Sequence, residues 1–194
     1  HTVAQGETVL AATGAGAPRA IVVGSSETGT LVVTGGKLEL RGVQPDVVGN
    51  STLPGTVLVD GGTLFKTNAS EFFLGLGGTG GWGALVVSNG TATLRSITNA
   101  TSGSTITLAG GTLEMGRFRR SATFTNYFNG GTLKAMTNES SWIQSGTVNL
   151  VGGSGLTVDM VGYDVVLLSS LSSNAPAAGL VKKGAGILTL QAPN

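Results

Sequence analysis

The stretch Gly29-Thr30-Leu31-Val32-Val33-Thr34-Gly35-Gly36-Lys37-Leu38 decides the fold, because its pattern returns along the chain. The pattern is Gly-Thr, two apolar positions separated by a variable one, a Gly pair and a Leu. Residues 55–64 repeat it closely, and looser copies centre on Asn89-Gly90, Gly110-Gly111, Gly130-Gly131 and Gly152-Gly153. Successive Gly pairs lie 20 to 28 residues apart. Repeats of this length are typical of solenoids, in which each repeat forms one coil.

Apolar and variable residues alternate before each Gly pair, which indicates a strand with one buried face. The Leu after the pair begins a second strand, and the Gly pair supplies the positive φ of the turn, with Asn89 as the accepted substitute. We therefore predict an all-β chain that forms a single parallel β-solenoid, a right-handed β-helix of about seven to eight coils. One interior ladder is expected to contain Leu38, Leu64, Leu94, Leu113 and Leu133.

The same register predicts two further features. The residues that follow three of the ladder leucines, Arg95, Glu114 and Lys134, are expected to form an outward row of alternating charge. Residues 41–54 and 66–82 interrupt the repeat, so we expect insertions that lengthen two coils.

Composition excludes several function classes. Charged residues make up 11% of the chain and the net charge is +1, so no concentrated basic surface favours nucleic acid or an anionic membrane as a partner. No apolar run approaches the roughly 18 residues that a spanning helix needs, and we expect no membrane insertion. The chain has no Cys and one His, His1, so neither a metal site nor a cofactor is expected.

Catalysis has little support in the sequence. We expect no Ser-His-Asp triad, because the sole histidine, His1, stands at the terminus of the sequence, where chains tend to fray. Parallel β-helices that cleave polysaccharides use clustered carboxylates, whereas the acidic residues here fall mostly one per coil at different offsets from the Gly pair. We therefore predict no catalytic residues, with a polysaccharide lyase or glycosidase as the alternative.

Aromatic and arginine side chains are the best candidates for binding. They lie off the ladder positions, and exposed aromatic rings stack on sugars while arginines hold acidic groups. The candidate glycan contacts are Trp82, Trp142, Arg117, Phe118, Arg119 and Arg120. In the other interpretation, the aromatics cover coil ends and the arginines solvate a turn.

The last segment, residues 179–194, resembles the autotransporter-associated β-strand repeat. The matching residues are Leu180, Lys182, Gly184, Gly186, Leu188, Thr189, Leu190 and Asn194, while Ile187 replaces Thr and Ala192 replaces Gly. The resemblance implies an exported passenger-type β-helix, secreted or held at a bacterial cell surface, with a structural or adhesive function. Since the motif stops midway, we expect residues 1–194 to be one domain of a longer protein.

An incomplete final repeat also predicts an open edge. The strand Ile187, Leu188, Thr189 and Leu190 is expected to lie there with one row of backbone groups unpaired. Such an edge invites the addition of another strand. We therefore expect homo-association, head to tail, between this strand and the N-terminal coil near residues 8–10, with a glycan or cell-surface ligand as another possible partner.

Overall fold

Parallel strands stacked in coils build the whole molecule. The computed structural model describes residues 1–11, 19–77, 80–120, 124–144, 147–150, 153–173, 175–176 and 178–192. In chain order, the strands are β1 (Thr2–Val3), β2 (Glu7–Leu10), β3 (Val22–Val23), β4 (Gly29–Val33), β5 (Lys37–Leu40), β6 (Asp46–Asn50), β7 (Gly55–Val59), β8 (Thr63–Lys66), β9 (Phe72–Leu76), β10 (Gly83–Val87), β11 (Thr91–Asn99), β12 (Thr105–Leu108), β13 (Thr112–Arg120), β14 (Thr125–Phe128), β15 (Thr132–Ala135), β16 (Glu139–Ile143), β17 (Thr147–Leu150), β18 (Leu156–Asp159), β19 (Val165–Leu167), β20 (Ser170–Ser173), β21 (Leu180–Lys183) and β22 (Leu188–Leu190).

These strands form three faces around an apolar interior. Face one is the eight-stranded sheet β1-β4-β7-β10-β12-β14-β17-β20, and face two follows the path β2-β5-β8-β11-β13-β15-β18-β21. Face three consists of β3, β6, β9, the second halves of β11 and β13, then β16, β19 and β22. The predicted all-β parallel solenoid is confirmed. The stack makes about six turns, slightly fewer than the seven to eight that we predicted.

Face three refines the expectation of two insertions. Residues 41–54 and 66–82 contain β6 and β9, so the segments that lengthen these two coils also supply their strands of face three. The sequence pattern shows only the two strands that flank each Gly pair. In the next two coils, the nine-residue strands β11 and β13 run from face two into face three without a loop.

The interior ladder of face two differs from the predicted one at a single coil. Leu38, Leu64, Leu113 and Leu133 are buried in one ladder, but Ala92 stands in the fourth coil. The predicted place of Leu94 is wrong, because it pairs with Lys66 and Met115 one step further along the strands. Ala92 lies three residues after Asn89, which is the offset of the other ladder residues from their Gly pairs. The register therefore follows the Gly pair and not the size of the side chain.

The outward row of face two shifts with it. Thr93 occupies the position expected for Arg95, which lies instead at the corner between faces two and three. The face-two charge row comprises Glu114, Lys134, Asp159 and Lys183. Its charges alternate in sign over four coils, and Glu114 and Lys134 form an ion pair at 3.0 Å.

Stacked Gly pairs make the corner between faces one and two. Glycine at positive φ turns the chain here, at the first position of the pair in Gly61 (93°) and Gly110 (137°), and at the second position in Gly36 (61°). The second Gly of the pair is required by close stacking, because a Cβ on Gly90 would collide with the carbonyl oxygen of Gly62. Asn89 is not at positive φ, so the prediction that it replaces Gly there is wrong. Its side-chain amide instead donates to Asp60 Oδ1 at 2.6 Å.

Candidate functional site

Two of the predicted glycan contacts are core residues. Trp142 is fully buried, and its indole Nε1 donates to the carbonyl oxygen of Met115 at 3.1 Å. Phe118 is buried as well, edge-on against Phe124 with ring centroids 4.6 Å apart. The expectation that these rings are available to a ligand is wrong, because Phe118 occupies an inward position in register with Ile143. Alternation along β13 then turns its neighbouring arginines away from the interior.

The remaining members of that set do not converge on one site. Trp82 is 40% exposed, but it precedes β10 and lies at the corner between faces three and one. Arg117 lies near the other corner of face three, and Arg119 is paired with Glu71 at 3.2 Å. The side chain of Arg120 lies outside the described residues. Among the described side chains of this set, no aromatic ring lies exposed beside an arginine cluster.

The acidic residues remain dispersed in the folded chain. Within the described ranges, no three His, Asp or Glu side chains come together as a potential metal site. Asp159 and Asp164, the nearest pair in sequence among those that we considered, bind backbone amides separately. Asp159 Oδ1 accepts from Val161 N at 3.1 Å and Asp164 Oδ1 from Ile187 N at 2.8 Å. Both carboxylates thus have a structural contact.

One carboxylate is buried with a lysine inside the solenoid. Asp46 Oδ2 and Lys66 Nζ lie 2.9 Å apart, with side chains 0% and 2% exposed. Asp46 Oδ1 accepts from Ile21 N at 2.8 Å, and Lys66 Nζ donates to Ser70 Oγ at 2.7 Å. Ser70 in turn donates to the carbonyl oxygen of Gly42 at 2.9 Å. Asp46 Oδ2 has the lysine as an ion-pair partner without a well-directed hydrogen bond, and the pair joins β6 to β8 across neighbouring coils.

A surface cluster of charges covers the first coils of face two. Lys37 Nζ contacts Glu7 and Glu39, both at 2.8 Å, and Arg41 Nε contacts Glu39 at 2.6 Å. Hydrogen bonds from Arg41 and then Lys37 lower the pKa of Glu39 from 4.5 to about 2. The same contacts raise the pKa of Lys37, with Glu39 as the larger cause. This cluster keeps the Glu39 carboxylate ionised between two cations.

In the described ranges, the strands of the last coil pair with other strands on one side only. β20, β21 and β22 bond to β17, β18 and β19, and each ends its row. Val165 N donates to Ile187 O at 2.9 Å and Gln191 N donates to Leu167 O at 3.0 Å, so alternate residues of β22 face β19. The backbone groups of Leu188 and Leu190 therefore point away from it. The prediction of an edge strand within residues 187–190 is confirmed.

A polar groove of about 320 Å³ lies at the corner between faces two and three, and we call it the corner groove. Its lining consists of Ala69, Arg95, Ser96, Gly116, Arg117, Thr137 and Glu139. The floor belongs to β11 and β13, which turn this corner without a loop. Residues 67–71 on one side and 136–138 on the other do form loops, and these build the walls.

Arg95, Ser96 and Glu139 were not among the predicted site residues. A signal for their groove exists in the repeat spacing. Gly61 and Asn89 lie 28 residues apart, while the next two intervals, to Gly110 and to Gly130, are only 21 and 20 residues. The shorter coils are the ones without a loop at this corner. Short repeats between longer ones therefore indicate a notch in a solenoid.

Comparisons with known proteins leave the affiliation of the chain open. No helix in the described ranges has the length and apolar character needed to cross a membrane. No protein-family model, curated protein or solved structure matches the chain. The resemblance of residues 179–194 to the autotransporter-associated repeat therefore stays a prediction.

Proposed function

We propose that the chain is a non-catalytic structural or adhesive scaffold of an exported bacterial protein, secreted or displayed at the cell surface. The observation that carries this proposal is the continuous parallel pairing of eight strands along faces one and two around one apolar interior. Each coil is hydrogen-bonded to its neighbours along faces one and two, so the coils form one continuous stack. These are the properties of a stalk, matrix or filament component. The resemblance of residues 179–194 to autotransporter repeats supports the extracellular location.

The scaffold can extend by pairing its two outer coils. Lys37 N and Arg41 N bond to Gly6 O and Leu10 O, so the backbone groups of Glu7 and Val9 point away from the stack. Leu188 and Leu190 present the matching free edge at the other end. All strands run parallel, so the first coil of one copy can continue the last coil of another. Such a head-to-tail contact does not close and propagates as a filament.

Self-association is tested by light scattering over a range of protein concentrations. The average mass should rise with concentration for the unaltered chain and remain that of a monomer for Leu188→Pro. This substitution removes an N–H from the free edge, while the bonds of Ile187 O and Gln191 N to β19 stay in place. Thr189→Val is the matched control, because it keeps every backbone donor and should assemble like the unaltered chain. A monomeric unaltered chain at every concentration would contradict end-to-end association.

The non-catalytic part of the proposal needs its own measurement. Incubation with pectin or alginate in the presence of Ca²⁺ should release neither reducing ends nor unsaturated products, because the carboxylates are dispersed. Turnover that disappears when one acidic residue is replaced would contradict this part and favour the polysaccharide-cleaving alternative.

A further inference from the structure

We infer that the corner groove binds a uronic acid residue of an acidic polysaccharide. The site holds unpaired cations, an acceptor for hydroxyl groups and room for a sugar. This inference goes beyond the scaffold function and does not depend on self-association.

The cationic side of the groove consists of Arg95 and Arg117. Within the part of the chain that the structure describes, neither guanidinium forms an ion pair, whereas Arg41 and Arg119 each pair with a glutamate. Arg117 Nε donates to Ser96 Oγ at 3.4 Å, a contact that orients its guanidinium. A planar guanidinium binds a carboxylate through two parallel hydrogen bonds. Two such groups at one corner therefore attract an anion.

The backbone of the floor brings these arginines together. Pairing between β11 and β13 passes from Leu94 to Ser96 and omits Arg95, which lies opposite Gly116. A Cβ on Gly116 would collide with the carbonyl oxygen of Arg95, so Gly allows the two strands to approach closely at this corner. Two arginines from neighbouring coils therefore flank a floor that has no side chain at Gly116.

The opposite wall selects the kind of anion. Glu139 lines the groove, and its Oε1 accepts from Ser141 N at 3.3 Å. A carboxylate beside two arginines accepts hydrogen bonds from hydroxyl groups and repels ligands that carry several negative charges. A phosphate chain is disfavoured for that reason, and a neutral sugar does not use the arginines. A uronic acid offers one carboxylate and several hydroxyls on one ring.

The size of the groove agrees with this ligand. A volume of about 320 Å³ is at the lower end of the range for small-molecule sites and accommodates one or two sugar rings. Arg95, Ala69 and Thr137 are exposed, so the groove opens to solvent. An internal segment of a polysaccharide can therefore bind from the side, and no chain end has to be threaded in. The site thus fits an internal unit of a long chain.

Calorimetric titration with trigalacturonate tests the inference, with maltotriose as the neutral trisaccharide and inorganic sulfate as the simple anion. Trigalacturonate should bind, and Arg95→Ala or Arg117→Ala should each weaken binding about tenfold, the loss expected for one charge-assisted hydrogen-bonded contact. Arg41→Ala removes the same charge from an exposed position in another coil, and it should change affinity by less than about twofold.

Three outcomes overturn the assignment. The first is no detectable binding of trigalacturonate by the unaltered chain. The second is an equal loss in Arg41→Ala, which would indicate unspecific attraction. The third is sulfate or maltotriose binding as tightly as trigalacturonate, which would assign the groove to simple anions or to neutral sugars. Thermal unfolding of each variant checks that the coils are intact, so that a loss of binding reports on the groove.

Discussion

The ion pairs Asp46–Lys66 and Glu114–Lys134 have nearly the same length, 2.9 and 3.0 Å, but lie in opposite surroundings. The first pair is inside the solenoid with side chains at most 2% exposed, while those of the second are 24% and 33% exposed on face two. Water and salt screen the exposed pair, whereas the buried charges depend on each other and on their hydrogen bonds. Both pairs join a carboxylate to a lysine, so the contribution of a charge to the free energy of unfolding depends on its position in the coil more than on its residue type.

The largest effect on stability is expected when a carboxylate is placed in the apolar interior without a partner. Leu113→Asp puts a charge into the apolar ladder between Ala92 and Leu133, and we expect a loss of several kcal/mol in the free energy of unfolding. Leu113→Ala is the control for the lost volume and should cost about 2 to 5 kcal/mol. Urea unfolding measures both. Equal stability of the aspartate variant and the unaltered chain would show that Leu113 does not face the interior.

Removing one member of the buried pair should have the next largest effect. Lys66→Met keeps the approximate volume but leaves Asp46 without its cation, and we expect a loss of about 3 to 5 kcal/mol. The double variant Asp46→Leu with Lys66→Met should recover much of that loss, because no buried charge remains. Urea unfolding of the unaltered chain and the two variants measures the loss and its recovery. A single variant as stable as the unaltered chain would mean that water reaches Asp46.

The exposed pair should show a much smaller effect. Lys134→Ala breaks the contact with Glu114, and we expect a change of about 0 to 1 kcal/mol that shrinks as salt is added. Unfolding at low and high ionic strength measures it. A loss as large as that of Lys66→Met, and independent of salt, would remove the contrast between the two pairs.

The smallest effect concerns the surface cluster around Glu39, and it depends on pH. Because hydrogen bonds from Arg41 and Lys37 lower the pKa of Glu39 from 4.5 to about 2, its stabilising contribution is complete above pH 4.5. That contribution disappears as the pH falls to about 2. The difference in Tm between the unaltered chain and Glu39→Gln should follow this course. A constant difference across the range would contradict the ion-pair origin.

Faces one and two follow from the sequence because their signals are local. The Gly pair fixes the turn, and alternation assigns Val33, Val59 and Val87, each two residues before its pair, to the interior. Face three has no such marker: β6 begins with Asp46, which resembles a loop residue until Lys66 is placed beside it. Its strands are recognisable only through pairing between coils.

The candidate site was predicted less well, for a related reason. Phe118 and Trp142 stand among polar residues in the sequence, and their burial depends on the register of face three. The edge strand was predicted from the resemblance of residues 179–194 to a known repeat, and β22 pairs with β19 as the last strand of its row. The corner groove was not, because two loops that are absent from neighbouring coils create it, and the repeat spacing is its one trace in the sequence.

The row formed by Gly62, Gly90 and Gly111 limits how such a molecule can change during evolution. The carbonyl oxygen of each glycine occupies the place that a Cβ on the next coil would need, so even alanine would clash in this row. A whole repeat, however, brings its own glycine and its own hydrogen bonds, and it can be duplicated or deleted without disturbing its neighbours. The length of the protein can therefore change by whole coils, while the close packing at this corner stays the same.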